Sequence, residues 1–98
     1  MLERDYQTDL RKRIKAQMPK GTKVLKNDAS DLQGICDLLV SYGPKAAWLE
    51  VKRSKTATHR PNQDYYVEQI NSQGGFARFI YPENEKEIIE ELRGWFGV

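Results

Sequence analysis

The sequence predicts an α/β fold, a mixed β-sheet flanked by helices in the order α-β-β-β-α-β-α. Three observations predict it. Near the start, apolar residues recur every four positions. In the middle, two apolar runs meet at Gly43-Pro44, the mark of a tight turn. Near the end, a second helical apolar pattern closes the chain. With 98 residues the chain fits one domain, 1–98, with a modest core that a second subunit can reinforce.

Each element has its own signal. Leu2, Tyr6, Leu10, Ile14 and Met18 form one stripe, so a helix is expected over Leu2 to Met18, ended by Pro19 and Gly21. "TKVLKND" offers a short strand, and the polar "ASDLQ" a loop. Ile35 to Tyr42 and Ala46 to Lys52 form the strand pair. Both are apolar at odd and even positions, which predicts a sheet covered on both faces. "RSKTATHR" has no period and is expected to be a mobile basic loop. Pro61 suits the first turn of the next helix, with Tyr66 and Ile70 facing inward and Gly74-Gly75 closing it. "FARFIY" reads as a strand. Pro82 introduces the last helix, where Ile88, Ile89, Leu92, Trp95 and Phe96 keep helical spacing.

Composition narrows the function classes. Charged residues are 31% and hydrophobic residues 39%, the balance of a folded soluble chain. No apolar run approaches the ~18 residues of a membrane span, and the N-terminus lacks a secretory signal. Cys36 is the one cysteine, so no internal disulfide forms, which agrees with a reducing, cytoplasmic setting. No H-E-x-x-H, G-x-S-x-G or Walker spacing occurs. Net charge is +2 but uneven. Arg11 to Lys26 holds seven Lys or Arg and no acid, and Lys52 to Arg60 holds four more, with His59 and again no acid. Taken singly, either segment is as readily a solvated surface. Together they suggest a side that faces a polyanion.

The strand pair carries three charges in an otherwise apolar setting: Asp37, Glu50 and Lys52. Opposed residues of a hairpin have a constant sum of positions. A four-residue loop, Tyr42 to Lys45, sets Ser41 against Ala46 and makes that sum 87, which Asp37 and Glu50 share. Their carboxylates then leave one face about 5 Å apart at Cβ, and Lys52 shares that face. Like charges so placed destabilise a sheet and push one pKa up. A divalent cation such as hydrated Mg²⁺, held by both acids, relieves both problems, and a backbone carbonyl such as that of Val51 would add a further oxygen. Lys52 would orient or help deprotonate a water, or stabilise charge on a phosphate. Any D…E-x-K taken alone is more often a salt bridge at a sheet edge. Buried strands, hairpin parity and two acid-free basic segments favour the metal reading here.

At these residues the sequence resembles the virus-type replication-repair nuclease (VRR-NUC) domain of the PD-(D/E)XK nuclease superfamily, in its stand-alone phage form. Gly34-Ile35-Cys36-Asp37 answers to G-x-P-D, with Cys36 in the place of the proline. Trp48-Leu49-Glu50-Val51-Lys52 answers to the apolar-apolar-E-x-K strand, and Gln63 to a glutamine opening the next helix. Glu3 matches an early glutamate of the first helix that supports the metal site. The resemblance spans nearly the whole chain. It implies a restriction-endonuclease-like core and Mg²⁺- or Mn²⁺-dependent hydrolysis of DNA phosphodiesters in replication or repair, in the host cytoplasm if phage-encoded. It further implies a homodimer and, for some members, cutting of four-way junctions.

The expected site is therefore Asp37, Glu50 and Val51 on the metal, Lys52 beside it, and Glu3 and Gln63 in support. Arg11, Lys12, Lys15, Lys26, Arg53, Lys55 and Arg60 would grip the DNA backbone. Glu3 is equally an ordinary first-turn acid, Gln63 a plain helix-start residue, His59 a solvated side chain and Cys36 a core residue. Tyr65 and Tyr66 could stack on bases, though core packing suits at least one. The rival function is a catalytically silent DNA-binding module with the same fold. A third is a structural protein with incidental charges and no DNA affinity.

Overall fold

The computed structural model describes residues 2–27 and 36–98. Seven elements follow in the expected order: α1 (Glu3–Gln17), β1 (Lys23–Lys26), β2 (Leu38–Tyr42), β3 (Lys45–Val51), α2 (Gln63–Ser72), β4 (Phe76–Ile80) and α3 (Glu85–Phe96). The loop expected at "ASDLQ", and Gly34 and Ile35 of the G-x-P-D match, lie outside the described residues. The sheet order is β1-β2-β3-β4. The first two pairings are antiparallel and β3–β4 is parallel, reached through the α2 crossover.

α1 buries Tyr6, Leu10 and Ile14, and Met18 just beyond its end, while Leu2 at its head stays 55% exposed. The apolar stripe therefore begins one turn later than its spacing suggests. Met18 is extended, as suits a residue before proline, and the helix stops there. Glu3 and Asp5 in the first turn and Lys15 in the last match the helix dipole.

The β2–β3 turn is tighter than expected. Tyr42 pairs with Lys45, which leaves only Gly43-Pro44 as the loop. Gly43 has φ +59°, the left-handed value that the first central position of a II′ hairpin requires. Tyr42 and Lys45 also sum to 87, so the register is the expected one, with Ser41 opposite Ala46 and Leu38 opposite Leu49.

Coverage of the two sheet faces is unequal. Leu38, Val40, Ala47, Leu49, Val51, Phe76 and Ile80 form the core with buried residues of α1 and α3. On the other face Leu39, Trp48 and Phe79 are only half-buried, and Leu25 is 48% exposed. Both faces carry helices, as expected, but cover of this face is partial. Of the described helices α2 lies on that side, against β4, and it is ten residues long. Its Tyr66 and Ile70 are half-buried accordingly, and Tyr65 is exposed. α2 also starts later than Pro61, because Asn62 takes a left-handed conformation and Gln63 is the first helical residue. At its far end Gly75 lies so close to Ile70 that a Cβ would meet Ile70 Cγ2 at 2.8 Å and the Ile70 carbonyl at 3.1 Å. That contact lets β4 start directly after the helix.

α3 buries Ile88, Ile89, Leu92 and Phe96, with Trp95 half-buried. Asn84 ties its start to β4, accepting from the Tyr81 N–H at 2.9 Å and donating to the Phe79 carbonyl at 3.0 Å. Glu85 ties it to α1. Arg13 donates to both Glu85 oxygens at 2.7 and 2.8 Å, and the Tyr6 hydroxyl donates at 2.9 Å. The Arg13 hydrogen bonds hold the Glu85 carboxyl below its ordinary range, and burial followed by the Glu85 bond pushes the Tyr6 hydroxyl up. Among the described residues no helix is long and apolar enough to cross a membrane.

Leu49 is fully buried at the centre of this core. Leu49→Ala is expected to lower stability by about 2–5 kcal/mol, read from the denaturant midpoint.

Candidate functional site

Alternation along β3 builds the site. Leu49 and Val51 point into the core, so Glu50 and Lys52 point to the opposite face. That face is thinly covered over most of the sheet, yet here it is closed: Glu50 is 2% exposed and Lys52 4%. Asp37 stands one residue before β2. Its Oδ2 accepts the Val51 N–H at 3.0 Å. In a strand the N–H and C=O of one residue point to the same neighbour, so the Val51 carbonyl is directed past the end of β2 toward the Asp37 side. The Lys52 N–H turns the other way, to the Ile80 carbonyl at 2.9 Å.

Asn27 holds the backbone that presents Asp37. Its N–H donates to the Asp37 carbonyl at 2.7 Å, and its Nδ2 donates to the Cys36 carbonyl at 3.0 Å. Cys36 occupies the place of the motif's proline and is fully buried. Burial first, then the charges of Glu50 and Asp37, push its thiol up to about 12, so it is a neutral core group.

The two carboxyls lie within hydrogen-bonding reach of one another. Glu50 is pushed up to about 9, by burial first, then by the hydrogen bond and charge of Asp37, with Glu3 adding and Lys52 opposing. Glu3, the first residue of α1, is thus close enough for its field to be felt. Glu50 Oε1 is buried with no hydrogen-bond partner among the described residues. An orphaned carboxylate oxygen is costly. Two acids, an orphaned oxygen and a strand-end carbonyl form a hard-oxygen donor set. No group of three or more His, Cys, Asp or Glu stands ready for a metal among the described residues. The set therefore fits an ion that keeps most of its waters, as Mg²⁺ does, and does not fit a closed zinc centre.

Lys52 is held from the far side. Its Nζ donates to Gln63 Oε1 at 2.6 Å and to the Thr58 carbonyl at 3.2 Å, and it forms no ion pair with either carboxylate among the described residues. Gln63 is 4% exposed, and its Oε1 also accepts the Arg60 N–H at 2.8 Å. So Asp37, Glu50, Val51, Lys52 and Gln63 converge, with Glu3 at the margin.

The basic residues flank this centre. A cleft of about 380 Å³ between α1 and β1 is lined by Arg4, Asp5, Gln7, Thr8, Arg11 and Lys26. A second, of about 240 Å³, is lined by Thr8, Arg11, Lys12, Lys15 and Val24. Arg11 lines both. One of its terminal nitrogens donates to the Val24 carbonyl at 3.3 Å, and its Nε is buried with no partner among the described residues. Lys26 adjoins Asn27, which joins this cleft to the Asp37 backbone. Across the site, Arg53, Lys55 and Arg60 are exposed on the loop whose Thr58 carbonyl meets Lys52. That loop, expected to be mobile, is tied down by these hydrogen bonds and by the Lys55 N–H, which donates to Glu83 Oε2 at 3.3 Å.

Asn27, and the contacts of His59, escaped the sequence reading. Asn27 shows no pattern, being one polar residue after a short strand. His59 stacks on Phe79, with centroids 4.1 Å apart and planes 13° off parallel, and its Nδ1 lies 2.9 Å from Asp64 Oδ1. Its spacing from Asp64 is the only trace of this in the sequence.

With this geometry established, comparison with known proteins adds one finding. A solved structure described as a "VRR_NUC domain" is similar over 90% of this chain and 94% of its own, with a TM-score of 0.72 and 24% sequence identity. The chain therefore has the fold of a VRR_NUC domain, as its motif resemblance implied. No protein-family model matches the sequence, and no curated protein does.

The elevated Glu50 pKa has a stability signature. The folded, metal-free protein binds this proton more tightly than the unfolded chain, so stability falls as pH rises from about 4.5 to about 9. Thermal unfolding in EDTA should show that decline, and Glu50→Gln should flatten it. Equal slopes in the two proteins would contradict the account.

Proposed function

We propose that this protein is a metal-dependent deoxyribonuclease that hydrolyses phosphodiester bonds. One observation carries the proposal: Glu50 is buried beside Asp37 with an unpartnered oxygen, next to the strand-end carbonyl of Val51 and the restrained ammonium of Lys52. That arrangement costs stability in an empty fold and is compensated when a cation is held there. The VRR_NUC-like fold supports a nuclease reading.

Asp37, Glu50 and the Val51 carbonyl would hold a Mg²⁺ or Mn²⁺ ion, which supplies a polarised phosphate and a more acidic water when bound. Glu50 enters that state by giving up its proton. Lys52 has three donors, and Gln63 and Thr58 occupy two. The third is left for an attacking water or a non-bridging phosphate oxygen, where the cation offsets charge developing as the P–O bond breaks. Gln63 keeps the ammonium aimed. Glu3 raises the negative field that favours a cation.

The substrate backbone would run past Arg11, Lys12, Lys15 and Lys26 in the α1–β1 clefts on one side and past Arg53, Lys55 and Arg60 on the other. Phosphate contacts fix register and carry no sequence code, so selectivity is for DNA structure. Two copies acting on a branched substrate such as a four-way junction, in cytoplasmic replication or repair, extend this reading and rest on the family resemblance. The competing reading, a silent DNA-binding module of the same fold, is disfavoured by the completeness of the charged set.

Two measurements test the proposal. Labelled junctions, flaps and duplexes with Mg²⁺ or Mn²⁺, run beside a sizing column, should be cut by the wild type. Lys52→Ala should abolish cutting while DNA binding persists. Tight binding without cutting under any divalent metal favours the silent module. Separately, Arg11→Gln should weaken binding to all DNA sequences and lower the slope of log K against log salt by about one. An unchanged slope would remove Arg11 from the backbone track.

A further inference from the structure

The segment between β3 and α2 is the least regular part of the described chain, yet it makes the contacts that fix Lys52. Thr58 gives its carbonyl to Lys52 Nζ, and Arg60 gives its N–H to Gln63 Oε1, the oxygen that also receives Lys52. Both are backbone contacts, so their accuracy depends on what fixes the loop. His59 lies between these two residues. Its ring stacks on Phe79 at 4.1 Å, and its Nδ1 is 2.9 Å from Asp64, in the first turn of α2. Phe79 is the register partner of Glu50 on the adjacent strand, so the imidazole is held over the same sheet face as the carboxyl pair. One side chain thus joins the loop to β4 and to α2 at once.

We propose that His59 is a positioning residue for Lys52. Resting on the nuclease reading, this assigns the aim of the Lys52 ammonium to a brace made of the Phe79 ring, the His59 imidazole and the Asp64 carboxylate. The brace holds the Thr58 carbonyl and Arg60 N–H where Lys52 and Gln63 need them. The ring's flat stack on Phe79 is the larger part of it. Asp64 fixes rotation about that stack, and its own side chain is 71% exposed, so its ionic contribution is screened by water. The imidazole need not change protonation state for this role. Small displacements of a reacting group cost rate far more than affinity, so losing the brace should reach catalysis through Lys52 and leave backbone binding nearly intact.

Three variants and two readouts separate this role from the alternatives. His59→Ala removes stack and hydrogen bond. His59→Phe keeps the stack. Asp64→Asn keeps a neutral acceptor for Nδ1–H. His59→Ala is expected to lower kcat on the order of 10- to 100-fold with KM within about twofold, and His59→Phe to restore most of that loss. Asp64→Asn should stay near wild type, with the wild-type pH–rate profile. Independently of activity, the NMR signal of the Lys52 side chain should move in His59→Ala and return in His59→Phe. An active His59→Ala enzyme with an unmoved Lys52 signal overturns the proposal. So does a His59→Phe enzyme as impaired as His59→Ala with Lys52 unmoved, since the imidazole would then act chemically. If the wild type cuts no DNA, the nuclease reading fails, while the Lys52 signal still decides whether His59 positions it.

Discussion

The structure depends on a carboxylic acid that a folded sheet would normally reject. Glu50 is buried beside Asp37 on one sheet face, and burial is the largest reason its proton is held so tightly. Its neighbours along β3, Leu49 and Val51, belong to the core, so it cannot turn outward without unpacking them. The strand register fixes where the acid points, and the core fixes the register. A protonated Glu50 is tolerated, and a deprotonated one asks for a cation. On the proposed reading, the fold is stable when empty and still biased toward binding a cation.

The remaining charges are distributed unevenly around the site. The Glu-rich α3 is engaged by residues facing away from the site: Glu85 by Arg13, and Glu91 by Arg78 at 3.3 Å. Arg13 is one of the seven cations between Arg11 and Lys26, and it is the one turned toward α3. Arg11 and its neighbours open instead on the clefts that lead to Asn27 and Asp37. The modest net charge of +2 hides an uneven arrangement, in which Glu85 and Glu91 are paired at the back while Arg11, Lys12, Lys15 and Lys26, with Asp5 among them, line the clefts beside the site.

How much could be read from the sequence followed the physics of each feature. The element order was legible because helical and strand periods differ. The hairpin register was legible because any loop centred on Gly43-Pro44 gives the same sum, even though the loop proved two residues long rather than four. The ladder ends at Leu38 and Leu49, however, so the expected cross-strand pairing of Asp37 with Glu50 is corrected: Asp37 stands just before β2 and reaches the end of β3 through its side chain, at the Val51 N–H. Gln63 came from resemblance and acquired a physical reason only when its oxygen was seen between Lys52 and the Arg60 N–H. Unequal cover of the sheet was not legible, since alternating apolar residues record what a strand could bury and not what the helices reach. Asn27 and the His59 brace were hidden for another reason. Their partners are a backbone carbonyl, an aromatic face and a first-turn acid, contacts that fold topology creates and no local pattern announces.

The central claim is that the Glu50–Asp37 pair is a cation site. The most direct test is anomalous scattering from crystals soaked in Mn²⁺ at neutral pH. The account predicts one strong peak bonded to a carboxylate oxygen of each acid and to the Val51 carbonyl, with waters completing its shell. Density with no ion beside the two carboxyls, under saturating Mn²⁺, would contradict it.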